Sequence, residues 1–499
     1  MSGWGAGYVT DIAYLPGYYR QQSPQHMHLA CLLGGVAGIE APPDAPFVYM
    51  ELGCGFGFGA TVLAASNPGW RVIGVDFAPA HIAAARALAA EAGVSNATFV
   101  EADLATLAAT PLGRALPEAD AISVHGVWSW VPQPVRDGIV AVLRDKLRAG
   151  GVAHLSYNAL PGWQSAIGLQ RTLREAGRTV AARSDRQALT GFETVKALAE
   201  AGAVQLNFPM VRDMLSRLGN VAEAYLAHEY MNEAWSPCFH ADVVRAVGEA
   251  RLDWVASAEL IENFPELALT DDQRAVMGRF EAPLMRELVK DMCLNRALRH
   301  DVFVRGARRL DRAARDAALR QVRLALTCAP EAFVYEAEVP AGQASLTRDF
   351  YAPIVAELAR GPRLVGDLLE LSDVVGSRDN PAELVGLMVG TEQAIPVTGE
   401  PCHGEAAPRF NTAALRWMAG KTNLNAGAAL ATAGLGSPLP CSVLDAHICT
   451  ALRNGARDSA AVVTEIASDR SPDERSKLAQ FIERRIIERA AAWRGWGLV

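Results

Sequence analysis

The stretch that decides the fold is Glu51-Leu-Gly-Cys-Gly-Phe-Gly-Phe-Gly59, which begins at the last residue of the short apolar run 47–51. An apolar run of this length that ends at a glycine cluster is typical of a buried parallel strand. Glycine permits positive φ and allows a ligand to approach the backbone closely. The sequence therefore predicts a strand, a glycine turn that contacts a ligand through Gly53 and Gly55, and a helix over 61–66.

Strands and helices alternate along the next hundred residues. Further apolar runs predict strands over 71–76, 97–101, 119–124 and 151–157, and the intervening patterns predict helices over 79–92 and 134–147. This alternation is typical of a doubly wound parallel sheet. The predicted class is α/β with a Rossmann-like sheet.

The rest of the chain changes character. Helical patterns cover 164–182, 187–201 and 208–219, a helix at 240–250 and a strand at 252–257 return to the sheet pattern, and a further helical stretch covers 271–327. The last part predicts a strand near 332–336, helices over 351–359, 364–371 and 382–389, a strand over 394–398 and a loop over 426–440. The helix and strand order between 351 and 398 is typical of a winged-helix-like module.

Three domains follow from these patterns. Residues 1–163 and 226–262 form the predicted ligand-binding domain, and residues 164–225 and 263–329 form a helical insertion or regulatory region. Residues 330–499 form a mixed, winged-helix-like C-terminal domain.

The glycine turn alone fits two ligands. The stretch Gly55-Phe-Gly-Phe-Gly-Ala60 matches the dinucleotide pattern G-x-G-x-x-A, in which a helix N-terminus faces a pyrophosphate. S-adenosylmethionine has no phosphate and carries a sulfonium and an ammonium group. Glu51 stands two residues before the first glycine, and its carboxylate suits a cationic ligand better than a pyrophosphate. A turn that binds nothing is the third alternative.

Two later aspartates complete the predicted ligand site. Asp76 ends the second strand, where its carboxylate can accept hydrogen bonds from both ribose hydroxyls of either ligand. Asp103 follows the third strand and can accept from an adenine amine, while Phe77, Ala102 and Leu104 enclose the ring. Together with Glu51 these residues favour S-adenosylmethionine over a dinucleotide.

Composition excludes several classes of protein. Among 499 residues, 55 acidic and 47 basic side chains give a net charge of −8, which disfavours a general nucleic-acid binder. The eight cysteines form no Cys-x-x-Cys pair, no apolar run reaches 18 residues, and the first residues lack the features of a signal peptide, so we expect a cytoplasmic protein that neither spans nor binds a membrane. Cys238-x-His240 and Cys402-His403 each offer only two ligands, so no metal site is expected.

At these residues the chain resembles class I S-adenosylmethionine-dependent methyltransferases. It is most similar to the bacterial group with a methyltransferase regulatory domain, which includes the rickettsial protein-lysine methyltransferases. The resemblance covers about the first half of the chain and rests on separate stretches: Tyr14-Leu-Pro-Gly-Tyr-Tyr19 with Pro24, Glu51-Leu-Gly-Cys-Gly55, His125-Gly-Val-Trp-Ser-Trp-Val131, Ser156-Tyr-Asn-Ala-Leu-Pro-Gly-Trp163 and Ala227-His-Glu-Tyr230.

The resemblance implies where the methyl donor lies. It places the donor against Glu51, Gly53, Asp76, Asp103 and the start of the His125 stretch. It also implies that the N-terminal segment with Tyr14 and Tyr19 folds over the donor. Gly59 and Ala60 stand where many relatives carry larger or amide side chains, which should alter the pocket near the methionine tail.

The acceptor side is predicted at the same edge of the sheet, because ligands bind beyond the carboxyl ends of the strands. The fourth strand brings His125, Trp128 and Trp130 there, with one of the tryptophans expected to face the site, and the fifth brings Tyr157 and Asn158. Aromatic walls can lower the pKa of an amine by desolvation and can hold a methylammonium group, so they suit N-methylation.

Several roles stay open at this point. His125 is either a general base or a residue that packs or contacts the donor, and Asn158 either orients the acceptor or forms the turn before Pro161. His228 and Glu229 are expected to form a structural hydrogen-bonded pair. The predicted activity is methylation of an amine, either a protein lysine or a small molecule. An NAD-dependent oxidoreductase and a non-catalytic donor-binding regulatory protein are the rivals, and the sequence does not fix the oligomeric state.

Overall fold

The fold was analysed in a computed structural model. It describes residues 7–9, 11–12, 17–40, 45–219, 223–374, 376, 379–399, 404–419, 424–467 and 471–499. Within this part of the chain, none of the helices has both the length and the hydropathy needed to cross a bilayer.

A mixed central sheet organises the first 305 residues. Seven of its strands are β1 (Val48–Leu52), β2 (Arg71–Asp76), β3 (Ala97–Glu101), β4 (Ala119–Val124), β5 (Leu147–Leu160), β6 (Leu252–Ser257) and β7 (Leu298–Arg305). The strand order is β3-β2-β1-β4-β5-β7-β6, and a two-residue strand, Cys238–Phe239, pairs with the end of β5. Strands β1 to β5 are parallel, whereas β7 runs antiparallel to both of its neighbours. The α/β Rossmann-like prediction is confirmed.

The predicted bounds of β2, β3, β4 and β6 agree with the structure, and β5 is longer than predicted. The prediction of continuous helix over 271–327 is wrong, because β7 and a strand at Arg323–Leu326 lie within it. β7 carries Arg299, His300 and Asp301, and these polar residues mask its strand pattern.

Both faces of the sheet are apolar because helices cover both. Side chains alternate along each strand, so Tyr49 and Val72 join one buried cluster while Met50 and Ile73 join the other. The helices that belong to this domain are Pro24–Leu33, Phe58–Ser66, Pro79–Ala92, Pro111–Ala115, Gln133–Lys146 and His240–Gly248.

A helical region follows β5 and has a core of its own. Leu173, Ala188 and Val195 are buried within it. Its helices Ile167–Gly177, Ser184–Glu200 and Pro209–Leu218 lie close to the predicted ranges, and a fourth helix, Glu223–Tyr230, was not predicted. Four more helices follow β6 or β7 along the chain: Pro265–Ala268, Asp271–Met277, Pro283–Leu294 and Arg312–Arg320. The division of the chain into three domains stays a prediction.

The last part of the chain is mixed. Strands Arg323–Leu326, Arg363–Leu364 and Ala394–Val397 form a small antiparallel sheet. The helices of this part are Arg348–Leu358, Val365–Leu369, Pro381–Gly390, Ala406–Met418, Val443–Arg453, Ser459–Ile466 and Pro472–Gly495. Between residues 351 and 398 the three predicted helices and the predicted strand are present, with an additional two-residue strand at Arg363–Leu364. The assignment as a winged-helix-like module stays a prediction.

Two predictions for this last part are wrong. The strand expected at 332–336 begins at Glu336 and forms a hairpin, Glu336–Val339 with Gly342–Ser345, because a short helical turn occupies Pro330–Ala332. The loop expected over 426–440 contains Gly427–Leu430, which pairs with Leu439–Ser442. Its Gly-Ala-Ala-Leu sequence has little intrinsic preference for a strand, so this pairing depends on its neighbours.

Candidate active site

The glycine turn after β1 has the conformation that its sequence predicts. Gly53 has φ of 77° and Gly57 has φ of 67°, a region that other residues rarely adopt. A Cβ atom on Gly53 would lie 2.3 Å from Cγ2 of Val127, and one on Gly57 would lie 2.5 Å from the ring of Phe99. Larger residues are therefore excluded both by the backbone angle and by the neighbouring side chains.

The carboxylate of Asp76 joins the end of β2 to this turn. The backbone N–H of Gly55 donates to Oδ2 at 2.9 Å, and the N–H of Ala78 donates to Oδ1 at 2.9 Å. The Nδ1 atom of His81 lies 3.2 Å from Oδ1. Asp76 is buried, so its carboxylate is held in one orientation at the floor of the site.

A cavity of about 520 Å³ opens at the carboxyl ends of β1, β2, β3 and β4. Three carboxylic acids line it, Asp76, Glu101 and Asp103. Neither lysine nor arginine occurs among its lining residues, all of which belong to the described part of the chain. A cavity of this charge suits a cationic ligand and is poorly suited to a pyrophosphate.

The structure brings most of the sequence-predicted site residues to this cavity. Those that line it are Tyr19, Gly53, Gly55, Asp76, Phe77, Ala102, Asp103, Leu104, His125 and Trp130. Tyr14 lies outside the described residues.

Glu51 lies behind the glycine turn and not on the cavity wall. Its Oε1 atom accepts a hydrogen bond from Nε2 of Gln22 at 2.9 Å, while Oε2 is buried and has no hydrogen-bond partner among the described residues. Burial raises the pKa of this carboxyl to about 7. The carboxylate thus contributes negative charge behind the turn, while a ligand in the cavity would contact the turn itself.

Three predicted acceptor-site residues lie in the interior instead. Trp128 is 2% exposed and packs in the core, although its neighbour Trp130 lines the cavity. Tyr157 is 1% exposed, and its hydroxyl donates to Asp301 on β7. Asn158 is buried, and its backbone N–H donates to Oγ of Ser129 at 2.8 Å. These positions do not agree with the expectation that Trp128, Tyr157 and Asn158 contact the acceptor.

Several residues of the cavity wall were not predicted from the sequence. Tyr8 lines the cavity, and its ring is edge-on to that of Phe77 at 6.0 Å between centroids. The backbone N–H of Val9 donates to Oδ1 of Asn232 at 2.8 Å, which fixes the segment beside Tyr8. This contact joins residues more than 220 positions apart, so no local sequence pattern predicts that Tyr8 lies at the cavity. The remaining missed residues are His81, Glu101, Ala105, Gly126, Val127, Val131, Pro132, Pro134 and Val135.

His125, which is half-buried, belongs to a group of three histidines with the buried His154 and His300. Its Nδ1 atom lies 2.9 Å from Oγ of Ser156, and Nε2 of His154 lies 3.1 Å from Nδ1 of His300. Burial lowers the pKa of all three imidazoles, so they are neutral at pH 7. A neutral His125 with such a low pKa is a poor base, which favours a contact role.

The three histidines also bear on the metal prediction. One ring nitrogen from each of His125, His154 and His300 lies within 4.8 Å of the others, so the group could hold a metal ion. Sequence spacing does not reveal this group, because its members come from β5, β7 and the end of β4. His240 of the Cys238-x-His240 pair is hydrogen-bonded to Asp301 through Nδ1 at 3.0 Å, and the Cys402-His403 pair lies outside the described residues.

Two family models match the chain. One is described as a methyltransferase domain and matches residues 50–153, which contain the glycine turn, Asp76 and His125. The other is described as a predicted methyltransferase regulatory domain and matches residues 222–305, which contain β6 and β7.

Similar proteins and a solved structure extend these matches along the chain. Protein sll1526 of Synechocystis is 31% identical over 420 residues, which cover 82% of this chain and 81% of that protein. Protein RP028 of Rickettsia prowazekii is 26% identical over 230 residues, 45% of this chain and 86% of that one. The solved structure of PKMT2 from Rickettsia typhi in complex with AdoHcy superposes with a TM-score of 0.67 at 16% identity, covering 97% of this chain and 99% of that chain. The two proteins share one fold along their length.

Proposed function

The chain belongs to the class I S-adenosylmethionine-dependent methyltransferases that carry a methyltransferase regulatory domain, and we propose that its acceptor is an amine, in particular a lysine side chain of a protein. The observation that carries this proposal is the aromatic wall of the cavity. Tyr8, Tyr19 and Trp130 face the same space as the glycine turn.

The residues present fit the methyl donor. S-adenosylmethionine supplies a methyl group on a sulfonium, and it carries two positive charges and one negative charge. The lining carboxylates complement those positive charges, and the Glu51 carboxylate adds negative charge behind the glycine turn. We assign Asp76 to the ribose hydroxyls, Asp103 to the adenine amine and the backbone of Gly53 and Gly55 to the methionine tail.

The same cavity supports an amine acceptor. A lysine ammonium group must lose a proton before it can act as a nucleophile, since its ordinary pKa is about 10.4. Desolvation among Tyr19, Trp130 and Val131 lowers that pKa, and the ring faces stabilise the methylated cation that results. His125 contributes by position, because its ring lies 4.0 Å from the ring of Tyr19 and fixes that side of the wall.

A protein acceptor receives further support from the likeness to Rickettsia typhi PKMT2 and from the group resemblance to rickettsial protein-lysine methyltransferases. A small-molecule methyltransferase and a non-catalytic donor-binding protein are the alternatives to exclude.

One labelling experiment separates these three functions. Tritiated S-adenosylmethionine is incubated with the protein and a bacterial lysate, and the products are divided into protein and small-molecule fractions. Tritiated methyl-lysine in hydrolysed protein, absent with the Asp76→Ala variant, would support the proposal. Label confined to small molecules would reject the protein acceptor, and no transfer at all would favour the non-catalytic protein.

A further inference from the structure

Three imidazole rings lie together at the wall of the cavity. They belong to His125, which directly follows β4, to His154 on β5 and to His300 on β7. Their ring centroids form a triangle with sides of 5.3, 5.5 and 6.0 Å, and the ring planes lie within 15° of one another. His125 lines the cavity, whereas His154 and His300 are buried, so the group extends from the interior of the protein to the ligand cavity.

The ring nitrogens of this group are close enough to share one ion. Nε2 of His154 lies 3.1 Å from Nδ1 of His300, and one ring nitrogen from each of the three histidines lies within 4.8 Å of the others. Histidine nitrogens bind Zn²⁺ at about 2.0–2.1 Å, so two of them on one tetrahedral ion are about 3.4 Å apart. The first two nitrogens already have nearly this separation, and the third comes within bonding distance by a rotation of the half-buried His125 ring.

Two buried serines hold two of these rings. Oγ of Ser123 lies 3.1 Å from Nδ1 of His154, and Oγ of Ser156 lies 2.9 Å from Nδ1 of His125. A metal-binding histidine usually donates its other ring N–H to an acceptor of this kind, which fixes the ring and its tautomer. The Ser123 contact therefore leaves Nε2 of His154 available as a ligand atom, on the side that faces His300.

Three imidazoles favour a divalent transition metal. Imidazole nitrogen suits Zn²⁺, Cu²⁺, Ni²⁺ and Fe²⁺, whereas Mg²⁺ and Ca²⁺ prefer oxygen ligands. Three protein ligands leave the fourth position of a tetrahedral ion for water or for a bound molecule. Because His125 lines the cavity, we expect this fourth position on the cavity side.

The alternative is a hydrogen-bonded pair of histidines with a purely structural role. Such a pair accounts for the contact between His154 and His300, and it uses the same two nitrogens. It does not account for the third ring, because Nδ1 of His125 contacts Ser156 and the His125 centroid lies 5.5 Å from that of His300. An ion at the centre of the triangle would use all three rings.

We propose that His125, His154 and His300 bind one divalent transition-metal ion such as Zn²⁺. Each imidazole donates the lone pair of one nitrogen to the ion and keeps its proton on the other nitrogen. His125 lies in the methyltransferase-domain match and His300 lies in the regulatory-domain match, so the ion would fasten β7 to the wall of the cavity. The inference goes beyond the proposed function, because it does not depend on which molecule accepts the methyl group.

The test uses the full chain without an affinity tag, freed of metal by a chelator. Co²⁺ is titrated in as a spectroscopic probe, and Zn²⁺ is then added to displace it. We expect one Co²⁺ per chain, with the visible absorption of a four-coordinate ion and without the charge-transfer band that a thiolate ligand adds. Zn²⁺ should also raise the melting temperature of the wild type, since an ion that binds only the folded chain stabilises it.

Four variants locate the site. His300→Gln removes a ligand and should weaken Co²⁺ binding at least tenfold, with loss of the melting-temperature rise. His125→Gln should do the same from the half-buried edge of the group, so it tests the site even if His300→Gln fails to fold. Ser123→Ala keeps all three ligands and should weaken binding about tenfold or more. His447→Gln is the matched control, because His447 is half-buried on helix Val443–Arg453 outside the group, and it should keep the wild-type affinity.

The outcomes separate this proposal from the proposed function. No binding of Co²⁺ or Zn²⁺ by folded wild-type protein would overturn the metal site, and so would wild-type affinity in both His125→Gln and His300→Gln. A thiolate charge-transfer band would also overturn it, since the ion would then lie on a cysteine. Absence of methyl-lysine in the labelling experiment, while Co²⁺ binds as expected, would overturn the proposed acceptor alone.

Discussion

The indole ring of Trp417 packs edge-on against the phenyl ring of Phe56, with 5.6 Å between the ring centroids. Phe56 lies in the glycine turn, and Trp417 lies on helix Ala406–Met418, far along the chain. Phe56 also contacts His81 at 4.7 Å, and His81 contacts the Asp76 carboxylate. The C-terminal part of the chain thus supports the turn at which we place the methyl donor.

Loss of this support should weaken donor binding. We expect Trp417→Ala to lower the affinity for S-adenosylhomocysteine by about two- to tenfold, since an aromatic pair contributes roughly 0.5–1.5 kcal/mol. Trp417→Phe should keep most of the affinity. Calorimetric titration measures both, and Phe481→Ala, which removes a half-exposed ring elsewhere in the same part, is the control. If the wild type and the three variants bind S-adenosylhomocysteine with equal affinity, the contact between Trp417 and Phe56 does not influence donor binding.

Asp76 should dominate the affinity for the donor. Hydrogen bonds to a charged group contribute roughly 1.5–3 kcal/mol each, so the loss of two in Asp76→Ala should weaken S-adenosylhomocysteine binding by about 100-fold or more. Asp103→Ala removes an exposed carboxylate that is assigned one adenine contact, and we expect about a tenfold loss. Near-normal affinity in Asp76→Ala would mean that the ribose assignment is wrong.

The glycines of the turn should differ in their tolerance of alanine. Gly57→Ala meets both a positive φ and a Cβ contact of 2.5 Å, so we expect a loss of stability of about 1–3 kcal/mol or more. Gly59 lies in a helix, and its added Cβ would meet the Glu51 carboxylate at an ordinary 3.4 Å, so Gly59→Ala should be neutral or stabilising. Thermal unfolding of both variants checks the contrast, and equal melting temperatures would contradict it.

The sequence predicts strands well where apolar runs end at turn residues, as in β2, β3, β4 and β6. It fails at β7, because four of its eight residues are Arg, His or Asp. Those charges are tolerated in the core since partners from distant segments neutralise them. Arg299, for example, binds Glu287 and Asp291 of a preceding helix. No local pattern contains that information.

The same limit applies to the site. Asp76 could be predicted because it ends a strand beside the glycine turn, and the carboxyl ends of parallel strands meet at one edge. Tyr157 could not be placed, because its hydroxyl turns toward Asp301 on the strand that the sequence missed. Tyr8 reaches the cavity through contacts of the N-terminal segment with His228 and Asn232, which only the folded chain brings together.

Glu51 should make stability depend on pH. Its pKa is raised to about 7 from 4.5 in the folded state, so folding favours the protonated form. The resulting stabilisation is complete below about pH 4.5 and is lost as the pH rises to about 7. Glu51→Gln has no proton to lose, so it should gain up to about 3 kcal/mol relative to the wild type between pH 5 and pH 8. Melting temperatures of the donor-free proteins at both pH values measure this, and a constant difference would show that Glu51 is charged throughout.

Arg299 should be essential for stability, because it lies at the centre of a buried ion network. It is 1% exposed and binds Asp291 at 2.6 Å, Glu287 at 2.9 Å and Asp301 at 2.9 Å. Arg299→Leu leaves these carboxylates buried without a counter-charge, which typically costs about 3–5 kcal/mol. Arg245→Leu breaks a surface pair with Asp242 and should cost less than about 1 kcal/mol.

The network also joins helix Pro283–Leu294 of the regulatory-domain match to β7. His300, the neighbour of Arg299, contacts the His154 ring at 3.1 Å, and His125 of the cavity wall completes that group. We therefore expect a milder variant, Glu287→Gln, to stay folded and to weaken S-adenosylhomocysteine binding severalfold. Thermal unfolding and calorimetric titration measure the two effects separately. If Glu287→Gln lowers the stability but leaves the affinity for S-adenosylhomocysteine unchanged, the network has only a structural role.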